Sequence, residues 1–567
     1  MNKNQEIADI FDKIADALEF KGDDSFRIGA YRKAARILRE YPENIEEIYR
    51  KGEIKKIPGI GKGMSEKIEE YLKTGRMKKY EEVIKDIPEG LLQLLEIPNL
   101  GPKTLNLAYT KLRVKNLQDL EKVIENGQLA KLFGMGEKKV ENIKKGIELF
   151  KQGRERIPIG IALPLVEEII NELKKFVYKI EPAGSLRRMK ETIGDIDILT
   201  TGENNLEIIE KFVLLPIVKE VLAKGDTKAS IIEKTHNLQV DLRVVPVDSF
   251  GAALQYFTGS KGHNIKLRGL AKDRGLKISE YGVFKGDKKI AGETEENVYK
   301  TLGLVWIPPE LREDKGEIEA AMDNKLPVLV EWDDIKGDLH IHSKYSDGVE
   351  TIEEIAISAK NLGYEYIGIS DHSKTSKVAG GLDEDKLKRR NEEIEKVNEK
   401  VKGIKVLKGI EVDILADGSL DYPDKILEEL DFVIVAIHQG FKKNVNERIK
   451  RAIENPFVDI IAHPTGRLLS GREGYDVNID EIIEYASKFN VALEINCYPD
   501  RLDLNDVNIL KGKSKNLMFA LGTDAHNIGM LKYIRFGIGM ARRGWLTRKE
   551  ILNTYKWEEM PLRRRKK

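Results

Sequence analysis

Apolar residues recur with helical spacing at the start of the chain. Ile7, Ile10, Phe11, Ile14 and Leu18 follow the i, i+3, i+4, i+7 pattern of one buried helix face, and similar short helices are predicted up to about residue 150. The pattern changes near "FVYKIEPAGS" (176–185), where strands become prominent, and a mixed α/β stretch runs to about residue 313. Residues 306–338, "WIPPELREDKGEIEAAMDNKLPVLVEWDDIKGD", are rich in proline and charge and read as a connecting segment. Beyond them, apolar runs at 337–342, 364–370, 404–412, 431–438, 458–463, 491–497 and 517–523 alternate with amphipathic stretches. Seven such units predict parallel strands covered by helices, in an open sheet or a closed barrel.

The helical part contains an internal repeat. "IPGIGKGMSEKI" (57–68), "IPNLGPKTLNLA" (97–108) and "LFGMGEKKVENI" (132–143) each place a small, glycine-bearing turn between helices. Gly59 and Gly61, Asn99 and Gly101, and Gly134 and Gly136 mark the turns, asparagine also tolerating a positive φ. Such a turn exposes backbone N–H groups at a helix N-terminus, where an anion binds. One copy is often no more than a tight helix connection. Three copies with lysines nearby predict a grip on DNA phosphates without base reading, and as a set they resemble helix-hairpin-helix motifs.

Composition adds limits. At 567 residues the chain has room for three to five domains of roughly 150 residues. The 96 Lys and Arg balance 95 Asp and Glu, so any nucleic-acid contact depends on local stripes of charge. The single cysteine, Cys497, excludes an internal disulfide and fits a reducing cytoplasm. No run of about 18 apolar residues appears, so no membrane partner is expected.

The sharpest chemistry before residue 300 lies in "AGSLRRMKETIGDIDILTTG" (183–202). Asp195 and Asp197 alternate with Ile196 and Ile198, so on a strand both carboxylates share a face. Paired carboxylates repel unless a cation lies between them, and hard oxygen ligands suit Mg²⁺. Asp241, in the alternating run "LQVDLRVVP" (238–246), is a third candidate. Three such groups on neighbouring strands would hold two metal ions for in-line phosphoryl transfer. Gly184 and Ser185 would let the backbone approach a triphosphate, and Arg188 would neutralise it. A lone D-x-D is usually a solvent-facing pair; the upstream Gly-Ser and downstream Asp241 change that reading.

This stretch resembles the nucleotidyltransferase palm of family X DNA polymerases, relatives of DNA polymerase beta. "YFTGSKGHNIKLR" (256–268) is similar to the thumb segment of that family. The resemblance implies that Tyr256, Phe257 and Gly259 line the sugar pocket, that Asn264 meets the minor-groove edge of the incoming base, and that Arg268 meets the template. Met189 stands where many members carry glycine, and Gln239 where the vertebrate enzyme has arginine. "DDSFRIGAYRKAARIL" (23–38) and the first hairpin resemble the small lyase domain of the family, which implies that Lys67 is a Schiff-base nucleophile. Gly63 replaces a second lysine there.

A second centre is written into the parallel units. His340 and His342 alternate on the first strand of "GDLHIHSKYSDG" (337–348), with Asp347 just beyond. His372, Glu411, His438, His463, Asp524 and His526 follow at the carboxyl ends of later strands, so six of the seven strands contribute. In a parallel barrel that edge gathers the active-site loops. Six of the eight histidines fall at these positions. Nitrogen and oxygen ligands without thiolates suit a catalytic site for two or three Zn²⁺ or Mn²⁺ ions, able to activate water on a phosphodiester. The constellation resembles the PHP family, and a palm followed by a PHP domain resembles prokaryotic PolX proteins, which implies a 3′–5′ exonuclease.

The expected fold is therefore multidomain α/β: helical helix-hairpin-helix modules, a nucleotidyltransferase palm with mixed sheet plus thumb, and a C-terminal PHP (β/α)7 barrel. Expected boundaries are 1–90 for a lyase-like DNA-binding domain, 91–150 for fingers, 151–247 for the palm, 248–313 for the thumb, 314–335 for a linker and 336–567 for the PHP domain. The expected function is a cytoplasmic, monomeric repair polymerase acting on gapped or nicked duplex DNA and dNTPs, with abasic-site lyase or endonuclease activity in prospect. The alternatives are a DNA-binding PHP phosphoesterase with a non-catalytic palm and a small-molecule phosphatase with accessory domains.

Overall fold

The structure is a computed structural model. It describes residues 3–40, 45–57, 59–85, 87, 91, 94, 97, 100–132, 135–136, 139–141, 143–144, 146–147, 156–469 and 474–563. These form two compact units, Met1–Glu155 and Arg156–Lys567.

The first unit is helical, with helices Lys3–Lys21, Ser25–Glu40, Lys62–Thr74 and Pro102–Leu112 among its elements. The first helix buries Ile7, Phe11, Ile14 and Leu18 in one apolar cluster with Tyr31, Leu38 and Ile68, while Ile10 lies at its margin. A second cluster gathers Leu94, Ile97, Leu100, Leu105, Leu120 and Ile143. The three predicted turns share one hydrogen-bond pattern. The amides of Ile60, Leu100 and Met135 donate to the carbonyls of Ile57, Ile97 and Leu132 at 3.1, 3.1 and 3.0 Å. Ser65, Leu105 and Val140 then donate to Gly61, Gly101 and Gly136 at 3.0, 3.0 and 3.2 Å. The repeat is thus one local structure used three times. Gly134 and Asn99 lie outside the described residues.

The second unit begins with a five-stranded mixed sheet. Its order is Lys179–Pro182, Asp195–Thr201, Gln239–Val244, Lys228–Glu233, Val218–Lys224, and only the second and third strands run parallel. Ile196 and Ile198 point into the core, which leaves Asp195 and Asp197 on the other face. Helices Phe250–Thr258 and Lys261–Asp273 follow, then a three-stranded antiparallel sheet and helix Glu295–Thr301.

Residues 314–335, read from the sequence as a linker, connect the neighbouring parts and are packed against them. They carry helix Glu317–Met322, and Glu317 is buried against His263 Nδ1 at 2.6 Å. Just before them, buried Arg312 forks onto Glu295 at 2.5 and 3.1 Å, and Arg187 of the palm grips the same carboxylate at 2.7 and 2.9 Å. The charge that reads as linker is used in buried pairs.

The remaining chain closes into a parallel barrel. The strands are Gly337–Ile341, Tyr366–Ile369, Lys405–Lys408 continued by Glu411–Asp413, Ile434–Ala436, Ile460–Ile461, Ala492–Asn496 and Phe519–Gly522. His342 N donates to Ala525 O at 2.8 Å and Ala525 N to His340 O at 3.3 Å, joining the last position to the first. Seven parallel positions result, as the apolar runs predict. One continuous apolar cluster joins palm residues Ile159, Val166, Ile196 and Ile198 to barrel residues Ile341, Val412, Ile495 and Ile538.

Two candidate metal centres

The first centre sits on the open face of the mixed sheet. Asp197 pairs in register with Asp241 across the parallel strands, and Asp195 with Gln239. Asp195 is exposed, while Asp197 and Asp241 are partly buried. Burial, reinforced by the charges of Asp195 and Asp241, raises the carboxyl of Asp197 to about 6. A divalent cation between the carboxylates would relieve that repulsion, so these oxygen ligands fit one. Asp241 behaves differently. Burial acts against its ionised form, but Gln239 Nε2 at 2.8 Å, Ser230 and Lys228 Nζ at 3.1 Å hold it below the ordinary value. Gln239 therefore supports the third aspartate directly.

A cavity of about 880 Å³ opens beside these groups. Gly184, Ser185, Arg188, Asp195, Asp197, Tyr256, Phe257, Gly259, Asn264 and Arg268 all line it. Gly184 has φ +62°, and a β-carbon there would lie 2.8 Å from Asp197 Oδ2, so only glycine lets the turn approach the carboxylate. Lys261, Asn264 and Arg268 come from one helix face at i, i+3 and i+7, and Ser260 caps that helix by accepting from His263 N. Tyr256 and Phe257 meet edge to face with centroids 5.1 Å apart. Asn264 is held by Gln255 Nε2 and by its own bond to Tyr256 O, at 2.8 and 2.7 Å.

Arg188 is already engaged by neighbouring groups. Its Nε donates to buried Glu313 at 3.0 Å and its Nη1 to Thr258 O, so its charge is shared before any ligand arrives. Met189 adopts φ +53°, a left-handed backbone that glycine adopts more readily.

The second centre lies at the carboxyl edge of the barrel. His342, Asp347, His372 and His526 converge in one group, His340, His342 and Asp524 in a second, and His372, Glu411 and His438 in a third. Glu411 is the hub, with His372 Nδ1 at 2.8 Å, His463 Nε2 at 3.1 Å, His438 Nε2 at 3.4 Å and His340 Nε2 at 3.6 Å. All nine sequence-predicted ligands thus meet in one ring. His463 and Asp524 carry positive φ values of 26° and 55°, strain of the kind stored at functional sites.

The electrostatics of the ring fit cations. His340 Nε2 and both nitrogens of His342 are buried with no hydrogen-bond partner, a costly state that metal coordination would remove. Burial and the neighbouring imidazoles of His372, His526 and His340 lower His342 to about 4, so it stands neutral, as a ligand must. Burial acts to lower His372 too, but Glu411 and Asp347 outweigh it and hold the imidazole at about 10. His438 is likewise held at about 9, mainly by Glu411 and Asp413 against burial. Such protons would leave as cations enter.

Several contributors went unread in the sequence. The sixth strand offers no ligand, yet its Glu494 accepts from His340 Nδ1 at 2.6 Å and from His463 N at 2.7 Å. Asp413 accepts from His438 Nδ1 at 2.7 Å. These carboxylates aim Nε2 of His340 and His438 inward. Asp371 pins the loop that carries Asp347 through Ser343 N at 2.7 Å and Ser346 Oγ at 2.8 Å. Arg501 sits with Nε 3.5 Å from Asp524. The available signals were Asp413 two residues after Glu411, and Glu494 on an inward position of an apolar strand.

In the first unit, Lys67 is half-buried on helix Lys62–Thr74, its Nζ donating to Gly63 O at 2.8 Å and lying 5.7 Å from the Tyr31 ring centroid. Gly59 has φ +84°, while Gly61 and Gly101 cap their helices with the same extended backbone, φ −75° and −73°. No helix among the described residues is long and apolar enough to cross a membrane.

Comparison with known proteins matches these parts. A helix-hairpin-helix domain family matches residues 2–77, the DNA polymerase beta thumb family residues 253–313, and the PHP domain family residues 338–497. A probable phosphatase of Thermoanaerobacter sp. is 28% identical over 232 residues, 38% of this chain and 89% of its own. A probable phosphatase of Caldanaerobacter subterraneus is 31% identical over 204 residues, 33% of this chain and 75% of its own. The DNA polymerase/3′-5′ exonuclease PolX of Bacillus subtilis is 40% identical over 560 residues, 97% of each chain. With a likeness of that extent running through both centres, the chain belongs to the PolX family of family X DNA polymerases.

Proposed function

We propose that the chain fills short gaps in duplex DNA during base excision repair, adding nucleotides at the palm and trimming 3′ ends at the barrel. It is a DNA-directed DNA polymerase of family X joined to a PHP 3′–5′ exonuclease. DNA and dNTPs are its ligands, and both reactions imply divalent metal ions. The observation that carries this reading is the presence, in one compact unit, of an all-oxygen trio beside a nucleotide-sized cavity and a separate imidazole-rich ring.

In this reading Asp195, Asp197 and Asp241 hold two Mg²⁺ ions, and the nine barrel residues hold two or three Zn²⁺ or Mn²⁺ ions. Bound ions supply neutralisation of the attacking and leaving oxygens and acidify the attacking group. The residues of the chain do the rest. Gly184 and Ser185 cradle the triphosphate, Arg188 meets its charge, and Tyr256, Phe257 and Gly259 shape the sugar pocket. Asn264 meets the base edge and Arg268 the template. Asp241 serves as acceptor for the primer 3′-OH proton once Lys228 releases it. At the barrel, Glu494 and Asp413 fix His340 and His438, and Arg501 counters the charge of the departing phosphate.

The helical segments 1–90 and 91–150 hold nicked or gapped duplex through the turns at Gly59, Gly61, Gly101, Gly134 and Gly136. Lys67 is the candidate nucleophile for an abasic sugar. Residues 151–247, 248–313 and 336–567 are the palm, thumb and PHP parts of a monomeric cytoplasmic enzyme, with 314–335 as a packed connection. An idle palm attached to a phosphoesterase would leave Asp195, Asp197 and Asp241, gathered on neighbouring parallel strands, without a purpose.

The test is a paired assay on gapped primer–template, with and without dNTPs, titrating Mg²⁺ and Mn²⁺. Extension with dNTPs and 3′ shortening without them are expected. Shortening alone, at every metal concentration, would overturn the reading.

A further inference from the structure

The wall of the nucleotide cavity is not built by palm and thumb alone. Asp506, Met540 and Arg543, all from the PHP part, line it as well. Arg543, at the end of helix Ile534–Arg543, is buried, and its Nη1 donates to Arg188 O at 2.7 Å and to Glu313 Oε1 at 3.0 Å. Glu313 Oε1 is the same oxygen that accepts from Arg188 Nε at 3.0 Å, with Lys190 Nζ 3.7 Å away. Arg543 Nη2 pairs with Asp506 at 2.6 Å, and Lys315 Nζ lies 3.4 Å from the same carboxylate.

Four cations, Arg188, Lys190, Lys315 and Arg543, therefore share two carboxylates, Glu313 and Asp506. The excess within this network is positive, and Arg188, Lys190 and Arg543 of it line the cavity together with Gly184 and Ser185. A buried network with uncompensated positive charge favours an anionic ligand. Burial and the nearby Arg543 push Lys190 down, a sign of the same crowding. A second contact fixes the loop. Met189 packs on Gly539 of the PHP helix, where an added β-carbon would lie 2.5 Å from Met189 Cε and 3.1 Å from its Cβ.

We propose that Arg543 is a positioning residue for nucleotide addition: through Glu313 and the Arg188 carbonyl it holds Arg188 where the triphosphate arrives, so dNTP affinity depends on the exonuclease domain. This rests on reading the cavity as the dNTP site. The hydrogen bonds of Arg543 go to Arg188 and Glu313, outside the PHP part, and to Asp506 within it; none goes to a residue of the barrel ring.

The test uses the full chain and steady-state addition of one nucleotide on a gapped primer, comparing wild type with R543Q, R543K and Met189→Gly. R543Q is expected to raise KM for dNTP roughly tenfold, the size of one charge-assisted contact, with kcat within about twofold. R543K should recover part of that loss. Inhibition by inorganic tripolyphosphate should weaken in step with KM, and 3′–5′ exonuclease activity should persist as evidence of folding. If R543Q also loses exonuclease activity, R543K and Met189→Gly decide, each expected to raise KM by about threefold. Wild-type KM and tripolyphosphate inhibition in the folded variants would overturn the proposal while leaving the polymerase reading intact. Absence of any addition by the wild type would overturn that reading itself.

Discussion

Asp195 stands exposed on an open sheet, and Asp197 beside it is charged only at the cost of burial and like-charge repulsion. His340, His342 and Glu411 are instead sealed inside a barrel edge, with His340 and His438 each locked by a carboxylate behind it. The difference is one of preorganisation. The palm is shaped for cations that come and go with a substrate, since an open carboxylate trio keeps room for water and phosphate oxygens. The barrel is shaped to hold its ions more firmly, since His340, His342 and Glu411 are sealed, His340 and His438 are aimed by carboxylates, and several ring nitrogens are orphaned.

The largest effect expected to separate the centres comes from deleting a ligand. Asp197→Asn should lower nucleotide addition by on the order of 10³-fold and spare 3′ hydrolysis, and Glu411→Gln should do the reverse. Parallel primer-extension and exonuclease rates measure this; a variant that loses both activities while still folded would merge the two centres into one.

The supporting carboxylates come next. Glu494→Gln and Asp413→Asn should weaken metal retention at the barrel by about 10–100-fold, read as metal content after dialysis against a chelator. Unchanged retention would mean that the locks on His340 and His438 are incidental.

Acidity gives a third contrast. A proton must leave Asp197 before a cation takes its place, so below about pH 6 the Mg²⁺ needed for half-maximal addition should rise, by up to about tenfold per pH unit. Above that pH the dependence should vanish. At the barrel the protons belong to His372 and His438, held at about 10 and 9, so metal uptake at pH 7 should release protons and tighten as pH rises. Calorimetry in two buffers of different ionisation enthalpy would detect the release, and a buffer-independent heat would contradict it.

The smallest effect concerns Lys228. Its partly exposed pair with Asp241 competes with a cation, so Lys228→Met should lower the Mg²⁺ requirement by about twofold to fivefold. A raised requirement would show that Lys228 assists the site.

Much of this was legible because both centres are written at strand spacing. His340 and His342, like Asp195 and Asp197, are two apart, and period two alone puts each pair on one face. The seven apolar runs announced seven parallel positions, and the third glycine turn matched the first two in hydrogen bonding. What stayed hidden depends on contacts between distant segments. Nothing local marks Glu313 as the partner of both Arg188 and Arg543, or Glu494 as the support of His340. The packing of segment 314–335 stayed hidden for the same reason, since nothing local marks His263 as the buried partner of Glu317.

The apolar cluster that runs without a break from Ile159 to Ile538 has a practical consequence. A shortened polymerase that stops after the thumb would strip one side of that cluster, uncovering Gly160 where it packs on Pro499 and freeing Met189 from its seat on Gly539. Such a fragment should aggregate on expression, and its weak activity would then report a damaged surface and say little about the chemistry of the palm. Silencing the nuclease by a point substitution in the intact chain is the cleaner route for anyone wishing to engineer the polymerase alone.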